Sequence, residues 1–235
     1  MGRLQLELSV NRARWRSRDA QALEAGEAFR KVKSTVIKRD RHTCQSCGFV
    51  SVSGESGSLG FLEIHAIDDN HPGNSPANLI TLCPMCHQCF NIGLKRGHII
   101  LYPHLSQVEI IRLAHIVFAF KRLAEIRAVD TLLESQASAL WQSILKQGRE
   151  AMEAKYGDQS SSPDTFGAAL LEMPIQIYKA RGRVLADVRF LPNYLQYAEK
   201  EVPYWVEHSW GKRDLKPESW AAILRSIEVR IKEAA

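Results

Sequence analysis

The sequence predicts an α+β fold in which a small ββα module held by cysteines leads into a predominantly helical remainder. Three observations predict it. Two C-x-x-C pairs, Cys44-Gln-Ser-Cys47 and Cys83-Pro-Met-Cys86, bracket the strand-like stretch FLEIHAI. From residue 106 onward, apolar residues recur at helical spacing over long runs. Hydrophobic residues make up 45% and charged residues 24% of the 235-residue chain, ordinary values for a protein that buries a core.

The elements follow in order. LQLELSV (4–10) alternates apolar and polar residues and reads as a strand, and Glu24 to Arg39 has the spacing of a basic amphipathic helix. SVSGESGSLG (51–60) reads as a hairpin loop, FLEIHAI as the strand after it, and the second cysteine pair opens a short helix. GHIILY (97–102) gives one more strand. Ser106 and Glu109 then form a capping box for a helix reaching about Ile126. This helix is apolar on most sides, so Ile110, Ile111, Leu113, Val117, Phe118 and Phe120 are expected at the centre of the core.

A second long helix is expected over Thr131 to Tyr156, with Leu133, Ala137, Leu140, Trp141, Ile144 and Met152 on one stripe, ended by GDQSSSPD. Shorter helices are expected around 164–172, 176–188 and 193–209. Pro217 starts a last one, with Trp220, Ile223, Leu224, Ile227 and Ile231 on its apolar face. The expected organisation is a basic strand and helix over 1–41, a cysteine module over 42–97, a helical platform over 98–211 and a C-terminal amphipathic helix over 212–235.

The net charge of +5 is concentrated at the start: residues 1–41 carry eleven Lys/Arg against five Asp/Glu. RARWRSR (12–18) and RKVKSTVIKRDR (30–41) have the charge to meet phosphates, lipid or an acidic partner. No aromatic-rich base-reading motif accompanies them, so nucleic acid is not the expected partner. No apolar run approaches the ~20 residues of a membrane span, and no export signal opens the chain. With cysteines suited to a reducing compartment, the expected location is cytoplasmic.

Four thiolates from two knuckles close a tetrahedral Zn²⁺ shell and leave no open position, so the cysteine pattern predicts a structural zinc site at Cys44, Cys47, Cys83 and Cys86. Metal binding then supplies folding free energy to a module with little core of its own. Cys89, the fifth cysteine, is expected to be a buried free thiol.

RDRHTCQSCG, LEIHAID and NLITLCPMCH, in this order, resemble zinc-stapled HNH endonucleases over residues 39 to about 95. The resemblance implies that His65 matches a metal-holding position and Ala66 the position of the histidine that takes a proton from water. Asn78 would match the central asparagine and His87 the last metal-binding histidine. An alanine methyl accepts no proton, and general-base catalysis typically contributes ~10²- to 10⁴-fold. His65, Asn78 and His87 are therefore read as vestigial; Asp68, Asp69 or His71 could stand in for the base only with hydrogen-bond reach to the water.

A second resemblance runs further. RDRHTCQSCGF, LITLCPMCHQCF, ILYPHLSQVEI, EAKYGDQSSSPDTFG and VRFLPNY look like the DotN (IcmJ) family of Dot/Icm type IVB secretion systems, from about Lys38 to Trp205. This implies a non-catalytic zinc protein, held at the inner membrane within a coupling complex. Its implied partner is the C-terminal extension of the coupling ATPase DotL, which also carries the adaptors IcmS and IcmW that present effectors. The alternatives are a metal-dependent nuclease using His65 and His87 and a nucleic-acid-binding zinc protein that does not cleave. Retained His65 and His87 and a final helix from about Lys212 depart from the family pattern.

Overall fold

The computed structural model describes residues 4–10, 32–51, 59–67, 75–94, 96–128, 131–210 and 217–234. The basic RARWRSR segment, the start of the expected first helix, most of the 51–60 loop, and Asp68, Asp69 and His71 lie outside the described residues.

The α+β class is the one observed. Helix α1 covers residues 32–39. β1 (Glu63–Ala66) pairs antiparallel with β2 (Leu79–Leu82), and α2 (Pro84–Cys89) follows. β3 (Gly97–Leu101) pairs antiparallel with β4 (Val188–Pro192). Between those two strands run α3 (Gln107–Glu125), α4 (Thr131–Tyr156), α5 (Pro163–Glu172), α6 (Ile175–Lys179) and α7 (Arg181–Val184). After β4 come α8 (Glu201–Trp205), a π-helical turn over Val206–Trp210, and α9 (Pro217–Ala234).

Several expectations change. LQLELSV is not a strand; it has no regular secondary structure, and Leu6, Leu8 and Val10 are buried. Its ladder is reduced to Ser9, whose N–H donates to Cys89 O (2.9 Å) and whose carbonyl accepts from Ile92 N (3.0 Å). Alternation reported which side is buried, without a neighbouring strand to complete a sheet. The helix expected over 176–188 is the short pair α6 and α7, and the one over 193–209 is a 3₁₀ turn (Tyr194–Gln196), α8 and the π turn. β4 lies where no strand was expected. Its pairing with β3, about ninety residues away, leaves no local signature, and the outer edge of β4 is closed by a side chain. The Gln107 amide donates to Phe190 O and accepts from Phe190 N, both at 2.8 Å, which satisfies backbone groups that would otherwise be orphaned by burial.

Helix α3 is the axis of the core. The Ser106–Glu109 capping box forms as expected, and Ile110, Ile111, Leu113, Val117, Phe118 and Phe120 are all buried. Phe118 meets the rings of Trp141, Tyr194 and Tyr197 with centroids 5.3–6.2 Å apart. Gly157, with φ 89, ends α4, in the left-handed conformation that glycine adopts without a Cβ penalty.

The last helix docks on its own chain. Leu224 and Ile227 are buried, and Arg230 pairs with Glu109 at 2.6 Å. Partial burial pushes the Glu109 carboxyl up, but hydrogen bonds from Arg230 and Ser106 outweigh this and hold it at about 2. Because the folded value is depressed, Glu109 stabilises the fold above its ordinary carboxylate range, and that contribution is lost as pH falls toward about 2.

Gly148 brings α4 against β3: a Cβ there would lie 2.7 Å from Ile100 Cβ. Alanine for glycine ordinarily favours a helix by about 1 kcal/mol, whereas overpacking a filled core costs about 1–3 kcal/mol. Gly148→Ala is therefore expected to lower the urea unfolding midpoint by an amount equivalent to about 1 kcal/mol. An unchanged or raised midpoint would show that β3 yields without cost.

Candidate metal centre

Two local turns aim the four sulfurs. In the first, Thr43 bridges Val50, Cys44 N donates to Phe49 O (2.8 Å), and Gly48 N donates back to Cys44 O (3.0 Å) with Gly48 at φ 81. Phe49 N points at Cys47 Sγ, 3.5 Å away. In the second, Cys83 is the N-cap of α2, Pro84 occupies its first turn, and Cys86 N donates to Cys83 Sγ at 3.4 Å. Backbone N–H groups directed at sulfur favour the thiolate form that binds metal.

The turns bring Cys44, Cys47, Cys83 and Cys86 together, all buried, with their Sγ atoms within 4.8 Å of one another. Cys47 and Cys83 are 3.8 Å apart. A tetrahedron with metal–sulfur bonds of about 2.3 Å requires sulfurs about 3.8 Å apart, so the spacing fits a zinc-sized ion. Burial raises Cys83 and Cys86 well above the ordinary thiol value, and the neighbouring sulfurs Cys44 and Cys47 raise them further. Burial also opposes ionisation of Cys44, yet the thiols of Cys47, Cys83 and Cys86 outweigh it and hold Cys44 well below its usual value. Four sulfurs so placed become thiolates together only with a cation among them.

Cys89 stays out of this group. It is buried, its Sγ lies 3.6 Å from Met85 O, and burial, then the charges at Cys44 and Cys47, push its thiol upward.

The sequence reading missed the residues that fix the knuckles. Arg39 clasps Asp40 through Nε (2.8 Å) and Nη2 (3.0 Å) and also donates to Leu79 O (2.6 Å). Asp40 in turn accepts from Thr81 N (2.8 Å), and Thr81 O accepts from Gln45 N (2.8 Å). This chain of bonds joins α1, β2 and the first knuckle. From α3, Arg112 Nε donates to Cys47 O at 2.9 Å. Only the RD ahead of the first cysteine hinted at this, since beyond the adjacent Arg39–Asp40 pair each partner is remote in sequence.

The HNH-like positions separate into two groups. His65 on β1, opposite Ile80, is buried and stacks on Phe90 at 4.1 Å. His87 on α2 stands edge-on to it, centroids 5.9 Å apart, with Asn91 Nδ2 3.5 Å from its Nε2. The two histidines are thus neighbours, but among the described residues neither belongs to a metal-sized cluster of three or more His, Cys, Asp or Glu. Asn78 closes a 3₁₀ turn (Pro76–Asn78), and its carbonyl accepts from Ile67 N at 2.8 Å. Ala66 is 1% exposed, opposite Leu79.

Cys44→Ser is expected to release the ion and to lower thermal stability by several degrees or more, with zinc read by atomic emission after dialysis. Cys89→Ser is expected to keep one ion per chain. Loss of metal from the second variant but not the first would overturn the ligand assignment.

Residues 41–94 match the HNH endonuclease family model. Over 211 residues the chain is 28% identical to the type 4 apparatus protein DotN of Legionella pneumophila subsp. pneumophila (strain Philadelphia 1), covering 86% of this chain and 90% of the relative. Both resemblances read from the sequence are borne out: HNH-like over the cysteine module, and DotN-like over most of the chain.

Proposed function

We propose that this chain, like the DotN family it resembles along most of its length, is a non-catalytic subunit of a type IV secretion apparatus, with Zn²⁺ as the structural ion of its cysteine module. The observation that carries this reading is the extent of the match to DotN, 86% of this chain and 90% of the relative, which goes well beyond the module shared with nucleases. In this role the chain binds the C-terminal extension of a DotL-like coupling ATPase in a type IVB coupling complex. It supports effector recruitment indirectly, beside IcmS/IcmW-like adaptors. A tethered scaffold acts by raising effective concentration rather than by chemistry. The site of action is the cytoplasmic side of the inner membrane, reached through the complex; no helix among the described residues is long and apolar enough to cross a membrane.

Two features support the absence of catalysis. Ala66 stands at the base position and is buried, and His65 is stacked under Phe90. The second reading, an HNH-type nuclease, is favoured by the family match over 41–94 and by the adjacency of His65 and His87.

Two experiments separate these readings. Co-expression with the C-terminal extension of the cognate coupling ATPase is expected to give a complex that survives size-exclusion chromatography; failure to associate would overturn the scaffold reading. Purified protein with Mg²⁺ or Mn²⁺ is expected to leave supercoiled plasmid intact. Nicking that disappears in His87→Ala would establish the nuclease instead, and activity gained only in Ala66→His would identify a metal site that had lost its base.

A further inference from the structure

The four sulfurs of the cysteine centre are not held alike. Cys83 and Cys86 are aimed by the first turn of α2, and α2 is tied at Gln88, which accepts from the Tyr197 hydroxyl and donates to Arg96 O (3.3 Å). Cys44 is fixed from β2 through its neighbour Gln45, whose N–H donates to Thr81 O at 2.8 Å. Cys47 sits in the outer half of the first knuckle. It is 5% exposed, against 0–1% for the other three, and is therefore the ligand residue nearest to solvent.

This half is gripped from α3 by two residues one turn apart. Arg112 Nε donates to Cys47 O at 2.9 Å, and the His115 ring stacks on Phe49 at 4.1 Å. Phe49 N in turn points at Cys47 Sγ, 3.5 Å away. The two contacts together set where Cys47 stands and whether its sulfur keeps an N–H donor. Ser46 Oγ, donating to Leu4 O at 3.1 Å, adds a neutral tie on the other side.

Arg112 also brings charge. Four thiolates outweigh one divalent ion and leave the centre net anionic, and burial magnifies that imbalance. Arg39, the other guanidinium close to the knuckle, is matched by Asp40 at 2.8 Å. Arg112 donates to a neutral carbonyl and, among the described residues, pairs with no carboxylate. It is exposed, so solvent screens its charge from the deeper sulfurs and its influence falls on the outer ligand.

We propose that Arg112 is the positioning residue of Cys47, and that metal exchange at the cysteine centre opens at Cys47 under the control of α3. Partners behind the ligands orient them and typically account for ~10- to 100-fold in metal affinity. The inference rests on reading the cluster as a metal site, and it assigns the retention of the ion to a residue of the helical body.

The test mixes the full-length, zinc-loaded chain with an excess of a chromophoric chelator and follows metal release by absorbance. Arg112→Met is expected to release metal about tenfold faster than wild type, and Arg112→Lys to recover part of the difference. Arg122→Met, on the same helix but paired with Glu125, is expected to match wild type. With Co²⁺ in place of Zn²⁺, the sulfur-to-metal charge-transfer band is expected to move to lower energy in Arg112→Met and back toward wild type in Arg112→Lys. Loosened packing alone would not give that recovery. Alkylation during release, mapped by mass spectrometry, is expected to mark Cys47 before Cys44, Cys83 and Cys86. Circular dichroism of the loaded variants verifies folding. Equal release from wild type and Arg112→Met, equal acceleration by Arg122→Met, or first alkylation at another of the four ligands would overturn the proposal. A wild-type chain that takes up no metal would overturn the metal-site reading and the proposal with it.

Discussion

Four buried sulfurs within 4.8 Å of one another are the constraint on which the rest of the chain depends. Thiols in this density resist common ionisation, as the upward displacement of Cys83 and Cys86 shows, and a divalent cation resolves the conflict by replacing their protons. The free energy so gained is what a two-stranded sheet and a six-residue helix lack. Hairpins of two strands are marginal in water, and β1–β2 has four paired positions.

The helical body then extends the module rather than standing apart from it. Arg112 reaches from α3 to Cys47 O. Phe49, next to the first knuckle, stacks on His115 of α3 at 4.1 Å and packs against Trp205 and Trp210. Burial lowers His115 to about 4 despite the opposing charge of Cys44, so at neutral pH it contributes as an uncharged aromatic. Trp205 Nε1 donates to Gly60 O, Ser209 Oγ lies 3.3 Å from Ser51 Oγ, and Tyr197 hydroxyl donates to Gln88 Oε1. Contacts from the chain's last third thus return to the cysteine module, which makes metal loss and body stability interdependent.

What was legible in the sequence follows from the range of each interaction. The cysteine knuckles, the Ser106–Glu109 box and the stripe of α3 are encoded within a few residues, and spacing reveals them. β2 and β4 are strands of four and five residues whose burial on both sides hides any alternation, and β4 depends on β3 and on the Gln107 amide. The Arg39–Asp40–Thr81–Gln45 chain likewise depends on Thr81, about forty positions from the other three. Charge patterning marked these residues as polar but had no means of saying what they hold.

On the proposed non-catalytic reading, the HNH-like positions keep the shell of a site without one of its chemical requirements. A general base must reach water, so its position on a nuclease strand has to open outward. Here β1 turns Ile64, His65 and Ala66 into the interior, and His65 stacks on Phe90. Such a histidine adds packing area to a module with little of its own. His87, one turn beyond the N-cap cysteine of α2, stays next to it because the cysteine cluster anchors the start of that helix. The geometry of the cysteine module therefore keeps the two histidines adjacent whether or not they act together. The proposed non-catalytic role therefore rests on the buried alanine beside them and not on how the two histidines are placed.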